Sequence, residues 1–294
     1  MNEQKVLSEE DVAQALKTAN PVTILKLIWT LIKSFFKEKP EIIILSSIIL
    51  ILLWGYHGNL DLLKLFVTNW SPPGEVTETR RPILGWILWD REFISFFSGA
   101  FLLVFIPALI IKYGFKHSLR DYGLAFPMRE KRTAGLVLFI TLMLILLYPF
   151  YIASKDADMQ RVYPFYKHFS SITQFVLYEL CYFPFFLAIE FIFRGYLLLG
   201  LSHNSNIVYS PNSNKSRLYS FGKHAITISM LSYTAWHLGK PLTELWGTPV
   251  WGLVAGAGTY YVRSVWPVLM AHFLLNVFLD GMILHQLHIF PSAY

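Results

Sequence analysis

Long apolar runs are the feature that most constrains what this chain can fold into. A helix needs about 20 apolar residues to cross a bilayer, and runs near that length occur at 41–56, 93–112, 134–153, 172–200, 223–238, 247–262 and 265–284. Hydrophobic residues make up 54% of the chain and charged residues 15%, against roughly 25% charged in soluble domains. A soluble protein of 294 residues could not bury that much apolar surface. The sequence therefore predicts an all-α polytopic membrane protein with a bundle of seven transmembrane helices.

The first 40 residues differ from the rest of the chain. Residues 8–18 predict a short cytosolic helix, since Ser8 can cap it and acidic residues follow in its first turn. Residues 22–37 place lysines among apolar residues, which is typical of an amphipathic helix lying in the membrane interface. If 22–37 inserts, the bundle has eight spans. We expect 1–40 to be a cytosolic helix plus an interfacial helix, and 41–294 to be the transmembrane domain.

The distribution of lysine and arginine predicts the orientation. Basic residues are densest at 112–132 and ahead of the first span, on the side that the positive-inside rule assigns to the cytosol. The N-terminus is then cytosolic, and seven spans put the C-terminus outside. The longest external loop is 57–92, and 204–216 is a polar cytosolic loop. The polar, acidic N-terminus predicts no cleaved signal peptide, and the lack of a eukaryotic-type retention signal favours a bacterial plasma membrane.

Charge and cysteine content exclude several classes of protein. The net charge of +6 is modest, and the basic residues sit at the ends of apolar runs, so we expect no nucleic-acid partner. One cysteine excludes an internal disulfide framework and a cysteine-based zinc cluster.

Ionisable and amide side chains inside the spans are concentrated in the C-terminal half. Such groups are costly in a bilayer and mark a site or a buried pair; here they are Glu179, Glu190, Arg194, His237, His272, Asn276 and Asp280. Residues four apart share a helix face, so Glu190 can pair with Arg194. His272, Asn276 and Asp280 form one polar stripe by the same spacing. Depth estimates from the helical rise let Glu190, His237 and His272 meet near mid-depth if the helices tilt.

Three segments resemble motifs of the CPBP intramembrane proteases, the family of type II CAAX prenyl endopeptidases and bacteriocin-processing or immunity proteins. They are IEFIFRGY at 189–196, YTAWH at 233–237 and HFLLN at 272–276. SLRDYGL at 118–124 is similar to a weaker upstream segment of that family. The family-like core spans about 118–284 and is sharpest at 189–276.

The resemblance implies a metal-free, cofactor-free glutamic intramembrane endopeptidase acting on a membrane-anchored protein or peptide. A glutamate and His237 would activate a water, while His272 and Asn276 would polarise the scissile carbonyl and hold the oxyanion. The implied catalytic residues are Glu190, His237, His272 and Asn276, supported by Arg194, Tyr233 and Asp280. Ile189 stands where the family has its first glutamate, and Glu190 matches the second, which lies four residues before the arginine.

Other interpretations stay open. Glu190 and Arg194 can be a purely structural pair, His237 can cap its span, and His272 with Asn276 can hold helices together. Asp280 can be a helix-end or cavity residue, or can supply the carboxylate that Ile189 lacks. The competing function is a non-catalytic protein that binds or protects a membrane partner, as an immunity or scaffold protein does.

Two further classes are disfavoured. A transporter would show an inverted repeat with polar residues in both halves. A zinc site of His237, His272 and Glu190 lacks the H-E-x-x-H signature of zinc proteases.

Overall fold

The computed structural model describes residues 25–26, 28–30, 32, 38–57, 91–167, 169–202 and 221–289. The described residues form helices joined by turns and irregular segments, with no strand among them, so the predicted all-α class is confirmed. The predicted helix 8–18, the loop 204–216 and most of the loop 57–92 lie outside the described residues.

Eight helices are used below, labelled in chain order. They are α1 (Lys39–His57), α2 (Arg91–Ala100, continued by Phe101–Phe105, Ile106–Leu109 and Ile110–Gly114), α3 (Arg132–Ala153), α4 (Ala157–Val162), α5 (Ile172–Glu190, continued by Phe191–Leu199 and Gly200–Ser202), α6 (His224–Trp236), α7 (Leu242–Val262) and α8 (Trp266–Gln286). Three of the continuing pieces are π-helical, namely Phe101–Phe105, Ile110–Gly114 and Phe191–Leu199. The last of these begins directly after Glu190. Such widened turns are often found at functional sites.

Four helices of the described part are long and apolar enough to cross a membrane. They are Ser95–Gly114, Arg129–Ala153, Ile172–Ser202 and Trp266–Gln286, and they coincide with four of the seven predicted spans. Helices α1, α6 and α7 coincide with the other three predicted spans. Helix α6 has 13 residues, about 20 Å at 1.5 Å per residue, which is shorter than a hydrocarbon core of about 30 Å. The number of crossings, seven or eight, therefore stays a prediction.

The chain divides into two compact units, Met1–Leu45 and Ser46–Tyr294. In the first unit, the described residues of the predicted interfacial segment 22–37 are helical and exposed, while its location in a membrane interface stays a prediction. All of the site described below belongs to the second unit.

Helices α5 and α8 form the buried centre of the second unit. In the most apolar 18-residue stretch of α5, 56% of the residues are buried, and in that of α8, 61% are. In the stretch containing α3 the share is 6%. Helix α5 packs against α2 and α8, and its π-helical part packs against α6 and α7. Polar side chains on the facing sides of α5 and α8 are thereby enclosed by protein, as buried polar groups in a bilayer require.

The segment 118–124 fixes where α8 begins. It forms a short 3-10 turn that ends at Gly123, whose left-handed backbone (φ 79°) suits glycine. The carbonyl of Gly123 accepts from the backbone N–H of Val265 at 3.0 Å. The carbonyl of Leu124 accepts from the Trp266 indole at 2.8 Å. Both bonds hold the α7–α8 turn against this segment.

Gly195 permits the same segment to approach α5. A Cβ on Gly195 would clash with the Phe191 ring and lie 2.7 Å from the backbone carbonyl oxygen of Tyr122. The carbonyl belongs to the 3-10 turn and cannot swing away as a side chain could. Glycine is therefore required sterically within the motif that contains Glu190 and Arg194.

Candidate active site

The Glu190 carboxylate is the point where three helices meet. Glu190 is fully buried at the last α-helical position of α5. Its Oε1 lies 2.6 Å from Nδ1 of His272 on α8 and accepts from the indole N–H of Trp251 on α7 at 3.3 Å. Sequence analysis did not identify Trp251, because a tryptophan in an apolar helix gives no signal that separates it from core packing.

Arg194 occupies the other side of this carboxylate. Its Nε lies 3.4 Å from Oε2 of Glu190, and both side chains are fully buried. The guanidinium also lies 4.0 Å from the ring centroid of Tyr233, at cation–π distance. The spacing of four residues thus places Arg194 and Glu190 together, and Tyr233 stacks on the arginine.

The His272 ring lies between two aromatic side chains. Its centroid is 5.0 Å from that of Phe186 and 4.8 Å from that of Trp251. The side chain keeps 17% of its surface exposed, whereas Glu190 has none. His272 is therefore the accessible member of the pair.

His237 lies immediately after α6 and pairs with a different carboxylate. Its Nδ1 is 2.7 Å from the backbone carbonyl oxygen of Tyr233, and its Nε2 is 3.3 Å from Oε1 of Glu244. Sequence analysis missed Glu244, since the predicted span 247–262 began after it. The signal that could have found it is its position in the first turn of a helix that begins after Pro241, where a carboxylate is favourable.

Glu244 holds together a second polar group. Lys240 Nζ lies 3.0 Å from its Oε1, and the Tyr163 hydroxyl donates to its Oε2 at 2.8 Å. These contacts join the α6–α7 turn to the chain that follows α4.

The first and second motifs meet through the contact of Tyr233 with Arg194. His237 of the second motif has Glu244, not Glu190, as its carboxylate partner.

Asn276 is turned along its own helix. Its amide Nδ2 donates to Oδ2 of Asp280 at 3.1 Å, and both residues are buried. Glu179 of α5 is buried as well, and neither of its carboxyl oxygens has a hydrogen-bond partner among the described residues. The polar stripe of α8 therefore contacts α5 through His272 and Glu190.

A cavity of about 520 Å³ lies beside the polar cluster formed by His237, Lys240 and Glu244. Five aromatic side chains line it, Trp54, Phe96, Phe165, Phe185 and Trp236, together with Lys240. The Lys240 ammonium lies 4.5 Å from the Trp236 ring centroid. Glu190 and His272 do not belong to the lining of this cavity.

Within the described residues, no group of three or more histidine, cysteine, aspartate or glutamate side chains is arranged to hold a metal ion. His237 and His272, which a zinc site would need together with Glu190, have separate carboxylate partners. The expectation that the protein uses no metal or cofactor stays a prediction.

The fold and the site define an all-α membrane protein with a buried carboxylate–histidine pair between two central helices. Residues 171–278 match the family model described as Type II CAAX prenyl endopeptidase Rce1-like. The family resemblance expected from the three motifs is thus confirmed over this segment, which runs from the N-cap of α5 to within two residues of Asp280. No curated protein and no solved structure matches the chain.

Proposed function

We propose that the protein is an intramembrane endopeptidase that hydrolyses a membrane-anchored protein or peptide. The matched family is a protease family, and the observation that most supports the proposal is the 2.6 Å contact between Glu190 and His272 inside the matched segment. A buried carboxylate held against an accessible imidazole is the arrangement on which general acid–base hydrolysis depends.

The proposed site comprises the four residues implied by the motifs, with three supporting residues. The motifs imply Glu190, His237, His272 and Asn276 as the catalytic set, with Arg194, Tyr233 and Asp280 in support, and we divide the roles among them below. No metal or cofactor is part of the proposed chemistry. The proposed location is a bacterial plasma membrane, with the N-terminus in the cytosol.

A second function is favoured by one specific observation. Ile189 is 1% exposed and apolar at the position where the family's first glutamate stands. Glu190 cannot replace that group directly, since neighbouring residues on an α-helix are rotated by about 100°. A protein without that carboxylate could bind or protect a membrane partner without cleaving it, as an immunity or scaffold protein does.

The test does not require the substrate to be known in advance. Membranes are prepared from host cells that express the wild-type protein or the His272→Gln variant, and new protein N-termini are mapped by mass spectrometry. We expect a set of termini in or next to transmembrane segments that disappears with His272→Gln.

His285→Gln is the matched control, because His285 is an exposed histidine of the same helix. It should leave the set of termini unchanged. Identical termini in all three membrane preparations would contradict the protease and favour the non-catalytic protein.

A further inference from the structure

We infer that His272 Nε2 takes the proton from the attacking water and that Glu190 is its positioning residue rather than the base. The inference rests on the proposed proteolytic function and assigns roles within its site. Its basis is how the three partners of Glu190 are arranged and which member of the pair keeps exposed surface.

The partners of Glu190 determine which nitrogen of His272 holds the proton. Trp251 and Arg194 offer only N–H groups to the carboxylate, so Glu190 acts purely as an acceptor. Because an ionised carboxylate can only accept, we assign His272 Nδ1, at 2.6 Å, as the donor of this contact. A neutral imidazole whose Nδ1 is protonated has a lone pair on Nε2.

Accessibility separates the two members of the pair. Oε1 of Glu190 accepts two N–H groups, its Oε2 faces Arg194, and the side chain has no exposed surface. His272 is 17% exposed, and no described residue hydrogen-bonds to its Nε2. The imidazole is therefore the member of the pair that keeps exposed surface, and its Nε2 is the nitrogen left for a substrate or a water.

His237 is not arranged in this way. Its Nδ1 faces the Tyr233 carbonyl and its Nε2 faces Glu244, so both ring nitrogens already have acceptors. The side chain is 3% exposed. In this arrangement His237 links the end of α6 to Glu244 in the first turn of α7, and His272 has the available nitrogen.

The chemical step follows from this assignment. The oxygen of a water attacks the scissile carbonyl carbon as one of its protons moves to Nε2, and the carbonyl π electrons become the oxyanion. The imidazolium, stabilised by Glu190, then gives the same proton to the amide nitrogen as the C–N bond breaks. The products are one carboxylic acid and one amine, and His272 returns to its starting state.

The tautomer of His272 can be measured directly. The full-length protein, labelled with ¹⁵N-histidine and reconstituted in lipid, is studied by NMR at neutral pH. The chain has nine histidines, and the His272→Gln variant identifies the His272 signals. We expect a protonated Nδ1 and a bare Nε2. A protonated Nε2 in the wild-type protein would overturn the inference.

A double variant distinguishes a positioning role of Glu190 from a purely structural one. Glu190→Gln combined with Arg194→Met removes the carboxylate without leaving an unpaired buried arginine, and it should shift His272 toward the Nε2-protonated tautomer. Cleavage of a peptide identified by N-terminal mapping should fall roughly 10²–10⁴-fold, the usual contribution of a general base. Trp251→Phe removes one N–H but keeps the carboxylate, so it should leave the tautomer unchanged.

The proposed function and the proton assignment fail separately. A wild-type protein that cleaves nothing contradicts the proposed function, whatever the tautomer is. A wild-type protein that cleaves its substrate while His272 Nε2 is protonated contradicts the proton assignment alone. Full cleavage by the Glu190→Gln, Arg194→Met double variant also contradicts that assignment.

Discussion

Asn276 and Asp280 are bonded to each other one helical turn apart on α8, with Nδ2 of the amide 3.1 Å from Oδ2 of the carboxyl. The amide NH₂ of Asn276 carries two N–H donors, and Asp280 uses one of them. In this arrangement Asp280 orients the third motif, and the second N–H stays available for the oxyanion contact that the family resemblance implies.

Replacing Asp280 tests this orientation. Asp280→Leu removes the acceptor and leaves a buried Asn276 N–H unpaired, which should destabilise the protein by about 1–3 kcal/mol. Asp280→Asn keeps an acceptor oxygen of the same shape and should be much less harmful. Thermal unfolding in detergent measures the difference. Equal loss from both variants would show that the charge of Asp280, rather than its acceptor oxygen, matters.

The Glu190–Arg194 pair should show strong energetic coupling. Either Glu190→Gln or Arg194→Met alone disrupts a pair in which both side chains have no exposed surface, and breaking a buried pair in this way costs about 3–5 kcal/mol. The double variant should recover most of that stability, while proteolysis stays lost. If the losses of unfolding free energy in the two single variants simply add in the double variant, the predicted coupling is wrong.

Gly195 should tolerate no side chain. Gly195→Ala forces a Cβ to within 2.7 Å of the Tyr122 carbonyl oxygen, and overpacking of this kind typically costs about 1–3 kcal/mol. Gly247→Ala on α7 is the control, since a Cβ at Gly247 would have nothing within 4 Å and alanine favours helix. The yield of folded protein and its melting temperature should fall only for Gly195→Ala.

The orientation can be tested with single cysteines. Cys181 is the one cysteine of the chain, so a Cys181→Ser background has none. Glu130→Cys places a thiol at an exposed position of the basic segment. In right-side-out membrane vesicles, a membrane-impermeant maleimide should not label it until the membrane is permeabilised. Immediate labelling would reverse the predicted orientation.

The sequence was sufficient to predict the helices but not the partners of the site residues. Apolar length determines where a membrane helix can form, so the predicted spans lie on helices α1 to α3 and α5 to α8. Spacing within one helix also placed Glu190 with Arg194 and Asn276 with Asp280. Both predictions depend on helical geometry alone.

Contacts between helices could not be predicted from apolar length and residue spacing. Trp251 and Glu244 come to the site through the rotation and crossing of α7, which depend on side-chain packing across the whole bundle. The same holds for the pairing of His237 with Glu244 instead of Glu190, since the spacing of the motifs gives their order and not which carboxylate each histidine faces.

The most direct test of the proposed proteolysis is hydrolysis by the purified protein. The protein is reconstituted in liposomes with a peptide spanning a cleavage site mapped in cells, in water enriched in ¹⁸O. We expect the wild-type protein to release a fragment with ¹⁸O in its new carboxyl group, at a rate that falls roughly 10²–10⁴-fold in His272→Gln and is unchanged in His285→Gln. Equal release by the wild-type protein and His272→Gln, or no release by either, would contradict proteolysis at this site.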